Sequence, residues 1–479
     1  MRGKDSNLRP SGYEPDELPL LHPAKAYYFS RDRSDGQNPD TREWRSRRYS
    51  PPVRPYSPEC PWDLDSTVTY LTHGTYGACP RPVLEYQRGL VAELEANPLR
   101  FLTRELEGRL DEARAAVAAF LNADPAGLVP VPNATTGVAT VLGSLRLRPG
   151  DELLTDDHEY NATLNALETV AERARARVVR VSIPLPISHP EEVVEALIGG
   201  VTPRTRLALV SHVTSPSGLI FPIETIVQEL HRLGVDTLVD AAHAPGMVPV
   251  DIAALGAAYW TGNGHKWLCA PKGSGVLHVR EDRRDGVLPL VTSHGRNDPR
   301  PDRPALWKEF DWQGTGNPTP FLSLPEAIRV VGGLSPGGWP EHMAANRALT
   351  LQARDRLHDV LGVEPIAPES MIGSMAGIAL PAPPALTKPG DAAADALTIS
   401  LAEDDRFEVP VNAFPVRAAR APGAAPTAAL LRISAQRYNE VADYERLAEI
   451  IMRRGLASER STSRSGVAGP RGTSAIVKR

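Results

Sequence analysis

Between Val235 and Val279 the chain reads VDTLVDAAHAPGMVPVDIAALGAAYWTGNGHKWLCAPKGSGVLHV, and two chemically useful side chains close its apolar runs. One run ends at Asp240 and the next at Gly264-His265-Lys266. A lysine amine can hold an aldehyde as a Schiff base. A carboxylate can keep a pyridine nitrogen protonated, so that the ring withdraws electrons from a carbanion. Pyridoxal 5′-phosphate (PLP) needs both groups. An acid followed by small residues closes many strands, and a lone Gly-His-Lys is equally common. In this order and at this spacing the two point to PLP, with Lys266 as its attachment point and Asp240 under its ring nitrogen.

A phosphate needs a cradle. Pro132-Asn133-Ala134-Thr135-Thr136-Gly137 follows an apolar strand and opens a helix, so free backbone N–H groups and the positive dipole end converge on one point. The Thr hydroxyls either donate to an anion there or cap the helix. Asp157-His158-Glu159-Tyr160-Asn161-Ala162 offers two flat side chains, Tyr160 and His158, for stacking on a ring. His243, three residues after Asp240, faces the same mouth or packs in the core. In Leu431-Arg432-Ile433-Ser434-Ala435-Gln436-Arg437 a guanidinium interrupts an apolar strand. Such a fork grips an α-carboxylate through two parallel bonds. Arg432 is the better placed for this, Arg437 the alternative, and a surface ion pair the plain reading of either.

The elements that must position these groups read as α/β, with amphipathic helices alternating with short β-rich runs, the pattern of a mostly parallel sheet. Helices are expected over 83–96, 102–122, 137–145, 161–175, 190–199 and 223–233. Strands are expected at Leu128–Val131, Glu152–Leu154, Arg177–Val181, Leu207–His212, Thr237–Val239 and Gly275–Val279. Right-handed crossovers would then gather ligands at the carboxyl ends of the strands. Beyond about residue 320 the text turns to Ala/Pro/Gly-rich loops such as 381–395, a strand (Leu430–Ser434) and a last helix (Val441–Arg453).

Together these motifs resemble the class V aminotransferase family of fold-type-I PLP-dependent enzymes, nearest its isopenicillin N epimerase-like branch, over roughly residues 65 to 455. The resemblance implies a large PLP-binding domain with a mostly parallel central sheet over 61–315, and a smaller C-terminal α+β domain over 316–457. The family's usual Ser-x-His-Lys is here Asn263-Gly264-His265-Lys266, which implies Asn263 and His265 near the phosphate, with Ala134, Thr135 and Thr136. Tyr160 falls where relatives carry a ring-stacking His. Ser215, in Val210-Ser211-His212-Val213-Thr214-Ser215, takes the place of an Asn that reaches the cofactor's phenolic oxygen, a role His212 or His243 would share. Gln313-Gly314-Thr315-Gly316 resembles a loop touching the neighbouring subunit's cofactor phosphate, so Thr315 implies a homodimer with sites near the interface. His73, in Thr72-His73-Gly74-Thr75-Tyr76-Gly77, would line the substrate mouth.

The activity so implied is Cα chemistry on a small-molecule amino acid, foremost epimerisation. Lys266 would be the base, and Tyr160 or His73 the donor on the opposite face. A carbon–sulfur lyase or an aminotransferase is the alternative, and a non-catalytic binding module the remote one. A cysteine desulfurase needs a nucleophilic cysteine late in the chain, and none follows Cys269. A net charge of −5 gives no attraction to nucleic acid or anionic membrane. Only three cysteines and no apolar signal core point to the cytoplasm. Residues 1–60 and 458–479, polar and rich in Arg, Pro or Ser, are expected to be disordered. No Met lies between Met1 and Met247, so a shorter natural product would start at an alternative codon such as Val53 or Val68.

Overall fold

The computed structural model describes Ser57, Cys60, residues 61–381 and residues 391–456. The expectations for the two tails therefore lie outside the described residues, apart from an antiparallel bridge between Ser57 and Cys60.

A two-residue strand, β1 (Thr69–Tyr70), precedes seven strands that form the central sheet. These are β2 (Leu128–Val131), β3 (Glu152–Asp156), β4 (Arg177–Val181), β5 (Thr205–Ser211), β6 (Asp236–Ala241), β7 (Tyr259–Asn263) and β8 (Gly275–Val279). Their order is β2-β8-β7-β6-β5-β3-β4. The pairs from β7 to β4 run parallel, and β8 alone is antiparallel to both its neighbours. Every residue of β7 and β8 is buried, as a sheet covered on both faces requires. Helices provide that cover. Ile223–Arg232, for example, buries Ile223, Ile226, Val227 and Leu230 at helical spacing.

The expected elements shift by a few residues at most, with three differences that matter. The helix expected over 102–122 opens with a π-helical turn, Phe101–Glu105, before Leu106–Leu121. The segment 381–395, read as loop, already contains the start of the helix Asp391–Glu403, while 382–390 lie outside the described residues. Strand β7 stops at Asn263, so Lys266 sits in the following turn.

A second, smaller sheet closes the C-terminal part. Strand β9 (Met375–Ala379) is followed by β10 (Phe407–Glu408), β11 (Val411–Phe414) and β12 (Ala428–Ser434), and the sheet order is β11-β12-β9, all antiparallel. Strand β10 pairs instead with β1 in parallel. This ties the segment after β1 to the C-terminal layer, and two glycines then let it pass close to its neighbours. A Cβ on Gly74 would sit 2.2 Å from Met375 Sδ, and one on Gly77 would sit 2.3 Å from the Lys266 carbonyl oxygen. Among the described residues no helix is long and apolar enough to cross a membrane, and no His/Cys/Asp/Glu group could hold a metal ion.

The buried titratable groups of the core lead us to expect acid sensitivity. Burial holds eight histidines below their ordinary range: His73 at about 3, His212, His265, His278, His342 and His358 at about 4, and His158 and His243 lower than usual. Below the ordinary histidine value of about 6.5 the unfolded chain binds protons that these side chains refuse when folded, so stability falls with pH. Burial raises four carboxyls, Asp156, Glu159, Asp240 and Asp311, which act in the opposite sense. Eight outweigh four. We expect Tm to drop between about pH 7 and about pH 5. A calorimetric Tm that holds or rises over that interval would contradict the buried neutral state.

Candidate active site

At the carboxyl ends of β5, β6 and β7 lies a cavity of about 200 Å³ that gathers Ala134, Thr135, Tyr160, Ser215, Asp240, His243, Asn263, His265 and Lys266. Two larger hollows, about 550 and 600 Å³, lie against the helix Leu106–Leu121. Neither includes Lys266 or Asp240, so volume is a poor guide here.

Lys266 Nζ lies 3.0 Å from His243 Nε2, and the Trp267 indole N–H donates to His243 Nδ1 at 3.4 Å. An indole can only donate. Nδ1 is therefore the accepting nitrogen, and the imidazole proton sits on Nε2, facing the lysine lone pair. That tautomer suits an uncharged amine. Burial first, then the Arg432 charge, brings Lys266 down to about 7, against the opposing pull of Asp240. Asp240, at the end of β6, is itself buried, which raises its pKa. The Ala242 N–H, donated to Oδ1 at 2.9 Å, and the lysine charge work the other way.

The helix Ala134–Ser144 points its N-terminus into the cavity. Asn133 caps it, accepting the Thr136 N–H at 2.9 Å. The Thr136 hydroxyl also turns to Asn133 Oδ1, at 3.2 Å, so Thr136 completes the cap and does not line the cavity, whereas Ala134 and Thr135 do. Asn263 spans the gap from β7, its Oδ1 accepting the Ala134 N–H at 2.8 Å. The close approach depends on Gly275, where a Cβ would meet Asn133 Cα at 2.8 Å. His265 Nδ1 is buried without a partner. An orphaned imidazole nitrogen, a hydroxyl and a helix N-terminus around one end of a cavity are the donor set a phosphate wants.

Arg432 on β12 is buried and has no carboxylate partner among the described residues. Its Nη1 donates to the Ser215 carbonyl and lies 3.3 Å from Ser215 Oγ; its Nη2 donates to Thr75 Oγ1 at 2.5 Å; and Nε has no partner. Burial lowers its pKa to about 10. A buried guanidinium satisfied only by neutral oxygens has the chemistry to bind an anion more strongly than its present partners. Arg437 lies elsewhere, bonded to Ser335 Oγ at 2.7 Å.

The two aromatic candidates separate cleanly. Tyr160 lines the cavity, whereas His158 is buried beyond it, with Nδ1 2.8 Å from Ser217 Oγ and Nε2 2.8 Å from the Ile183 carbonyl. His243 lines the cavity and His212 does not. His73, expected at the mouth, is instead fully buried behind Lys266. Its Nδ1 lies 2.8 Å from the Tyr438 hydroxyl and its Nε2 3.1 Å from the Lys266 carbonyl oxygen. The residues of that segment that do reach the cavity are Thr75 and Tyr76. Thr315 is exposed and lies outside this chain's cavity.

Known proteins resemble this chain in sequence and in fold. A model of the class-V aminotransferase family matches residues 70–379. Isopenicillin N epimerase of Amycolatopsis lactamdurans is 36% identical over 403 residues, covering 81% of this chain and 95% of the relative. L-cysteine desulfhydrase of Arabidopsis thaliana is 28% identical over 405 residues, covering 80% and 87%. Among solved structures, a cysteine desulfurase from Escherichia coli superposes with a TM-score of 0.67 at 21% identity, covering 85% of this chain and 100% of that one. A cystine C–S lyase in complex with cysteine persulfide gives 0.65 at 20%, covering 81% and 97%.

Proposed function

Because the chain belongs to the class-V aminotransferase family of PLP-dependent enzymes, we propose that it inverts the α-carbon of an amino acid, as an epimerase. One observation carries this reading: a desolvated lysine amine lines the small cavity, and a buried arginine without an acid partner among the described residues is bonded to two of the residues that line it, Thr75 and Ser215. That is a base held beside a carboxylate anchor. The two isopenicillin N epimerases, 36% and 34% identical over 81% of the chain, support the choice among family reactions.

When bound, PLP supplies an electron sink that weakens the bonds of the substrate's α-carbon. Lys266 would hold the cofactor, Asp240 would pair with its ring nitrogen, and Tyr160 would cover the ring. Ala134, Thr135, Asn263 and His265 would surround the phosphate, with Ser215 and His243 near the phenolic oxygen. Arg432 orients the substrate by its carboxylate, exchanging the neutral Thr75 and Ser215 acceptors for an anion. Lys266 Nζ, uncharged above about pH 7, takes the Cα proton. With His73 behind the lysine, Tyr160 is the group left to return a proton from the other face. Thr315, on its exposed loop, would reach the site of a second subunit in a homodimer, and a cytoplasmic location completes the reading.

The desulfhydrase relatives support a second reading, carbon–sulfur cleavage of a cysteine-like substrate. The two part in deuterium oxide. With L-configured amino acids and peptides terminating in them, epimerisation installs deuterium at Cα and yields the inverted product without ammonia or keto acid. Pyruvate and ammonia from L-cysteine, with no Cα exchange in recovered substrate, would sink the epimerase reading.

A further inference from the structure

Glu159 is a buried carboxyl that the chemistry so far leaves unused. It lies between β3 and the helix Asn161–Ala174, is fully buried, and pairs with no cation among the described residues. Its Oε1 accepts the Tyr160 N–H at 2.6 Å and lies 3.1 Å from Thr163 Oγ1. Its Oε2 lies 2.9 Å from Ser211 Oγ. Ser211 ends β5, is the register partner of Asp240 on β6, and lines the cavity. One carboxyl group therefore holds the backbone of the cavity's tyrosine and the strand beside the cavity's acid. We infer that Glu159 is a positioning residue that locks Tyr160 and Asp240 into one relative placement, through the Tyr160 N–H on one side and Ser211 on the other.

The groups facing Glu159 fix the form in which it does this. From β3 comes Asp156, from β6 Asp240, from β5 the Ser211 hydroxyl, and from the helix Tyr160 and Thr163. None is a cation. Three carboxyls are buried at one end of the sheet, and burial with the neighbouring acids raises Glu159 well above the usual range. A buried carboxyl without a cation is tolerated as the neutral acid. In that form Oε1 still accepts the Tyr160 N–H, and the 2.9 Å contact in which the Ser211 hydroxyl donates to Oε2 reverses, the acid proton being donated to Ser211 Oγ. Glutamine reproduces both contacts, because its carbonyl accepts and its amide donates.

The inference rests on the cofactor occupying this cavity with Tyr160 over its ring, and Tyr160→Leu tests that premise by itself. Its holoenzyme should show a shifted visible spectrum; an unchanged spectrum would overturn the premise. For Glu159 the readouts are the holoenzyme spectrum and the dissociation constant of PLP titrated into apoprotein. Loss of one buried bond partner should weaken PLP by about tenfold in Glu159→Ala and by about threefold in Ser211→Ala, each with a spectral shift like that of Tyr160→Leu. Glu159→Gln should stay within about threefold of wild type. A purely structural role would lower Tm in Glu159→Ala and leave both readouts unmoved, which would overturn the inference. So would a Glu159→Gln protein as defective as Glu159→Ala, since charge and not hydrogen bonding would then be at work. Should Glu159→Ala not fold, Ser211→Ala decides: wild-type spectrum and affinity there would also overturn it.

Discussion

Lys266→Ala protein is expected to purify without the visible colour of protein-bound cofactor and to turn over substrate roughly a thousandfold more slowly or worse. The loss combines two roles of one amine, the covalent hold on PLP and the transfer of the Cα proton. Folding should survive. The amine is buried, and taking it away relieves a desolvated group instead of breaking an ion pair. The wild-type rate should accordingly rise with pH through about 7, because only the uncharged amine accepts a proton. Activity in Lys266→Ala within about tenfold of wild type would remove the lysine from the chemistry.

Arg432→Ala is expected to cost about 2–5 kcal/mol in kcat/KM, the usual effect of stripping one partner from a buried charge pair, or roughly thirty- to several-thousandfold. The loss should be largest for substrates with a free α-carboxylate and small for their amides. Arg432→Lys should recover only part of it, because an ammonium lacks the planar fork that now addresses Ser215 and Thr75. A second consequence follows from proximity. The guanidinium charge helps to depress the lysine, so its removal should move the rising limb of the pH–rate profile to higher pH. Unchanged KM for a carboxylate substrate, together with an unmoved limb, would show that Arg432 does not face the substrate.

The parts of this site that could be read from the chain are those whose geometry is local. Asp240 closes β6 and Lys266 follows the adjacent β7, so their meeting depends on the alternation of apolar runs. Asn133 to Thr136 form a strand-to-helix turn whose dipole is a property of a few residues. Even there, whether a hydroxyl faces an anion or the cap was undecided, and in Thr136 the cap won. Arg432 stood out because a charge inside an apolar strand needs a reason. Long-range placement was out of reach. His73 is drawn inward because Tyr438, 365 residues away, offers its hydroxyl. Thr75 and Tyr76 take the mouth because β1 is paired with β10, a contact no periodicity announces. Glu159 carried no signal beyond lying next to Tyr160; its meaning comes from Ser211, 52 residues on.

Gly275 also sets a length scale. Its bare backbone lets Asn133 cross the start of β8, so the helix opening at Ala134 comes within 2.8 Å of Asn263 on β7, one strand from Asp240 on β6. Neighbouring strands are about 4.8 Å apart. A molecule that must put an anionic group at the helix and a ring nitrogen at the acid therefore has one strand spacing and the reach of two side chains to cover. A single ring bearing one phosphate is of that size. The repeat of the sheet thus sets the distance at which the helix and the acid can hold two ends of one small molecule.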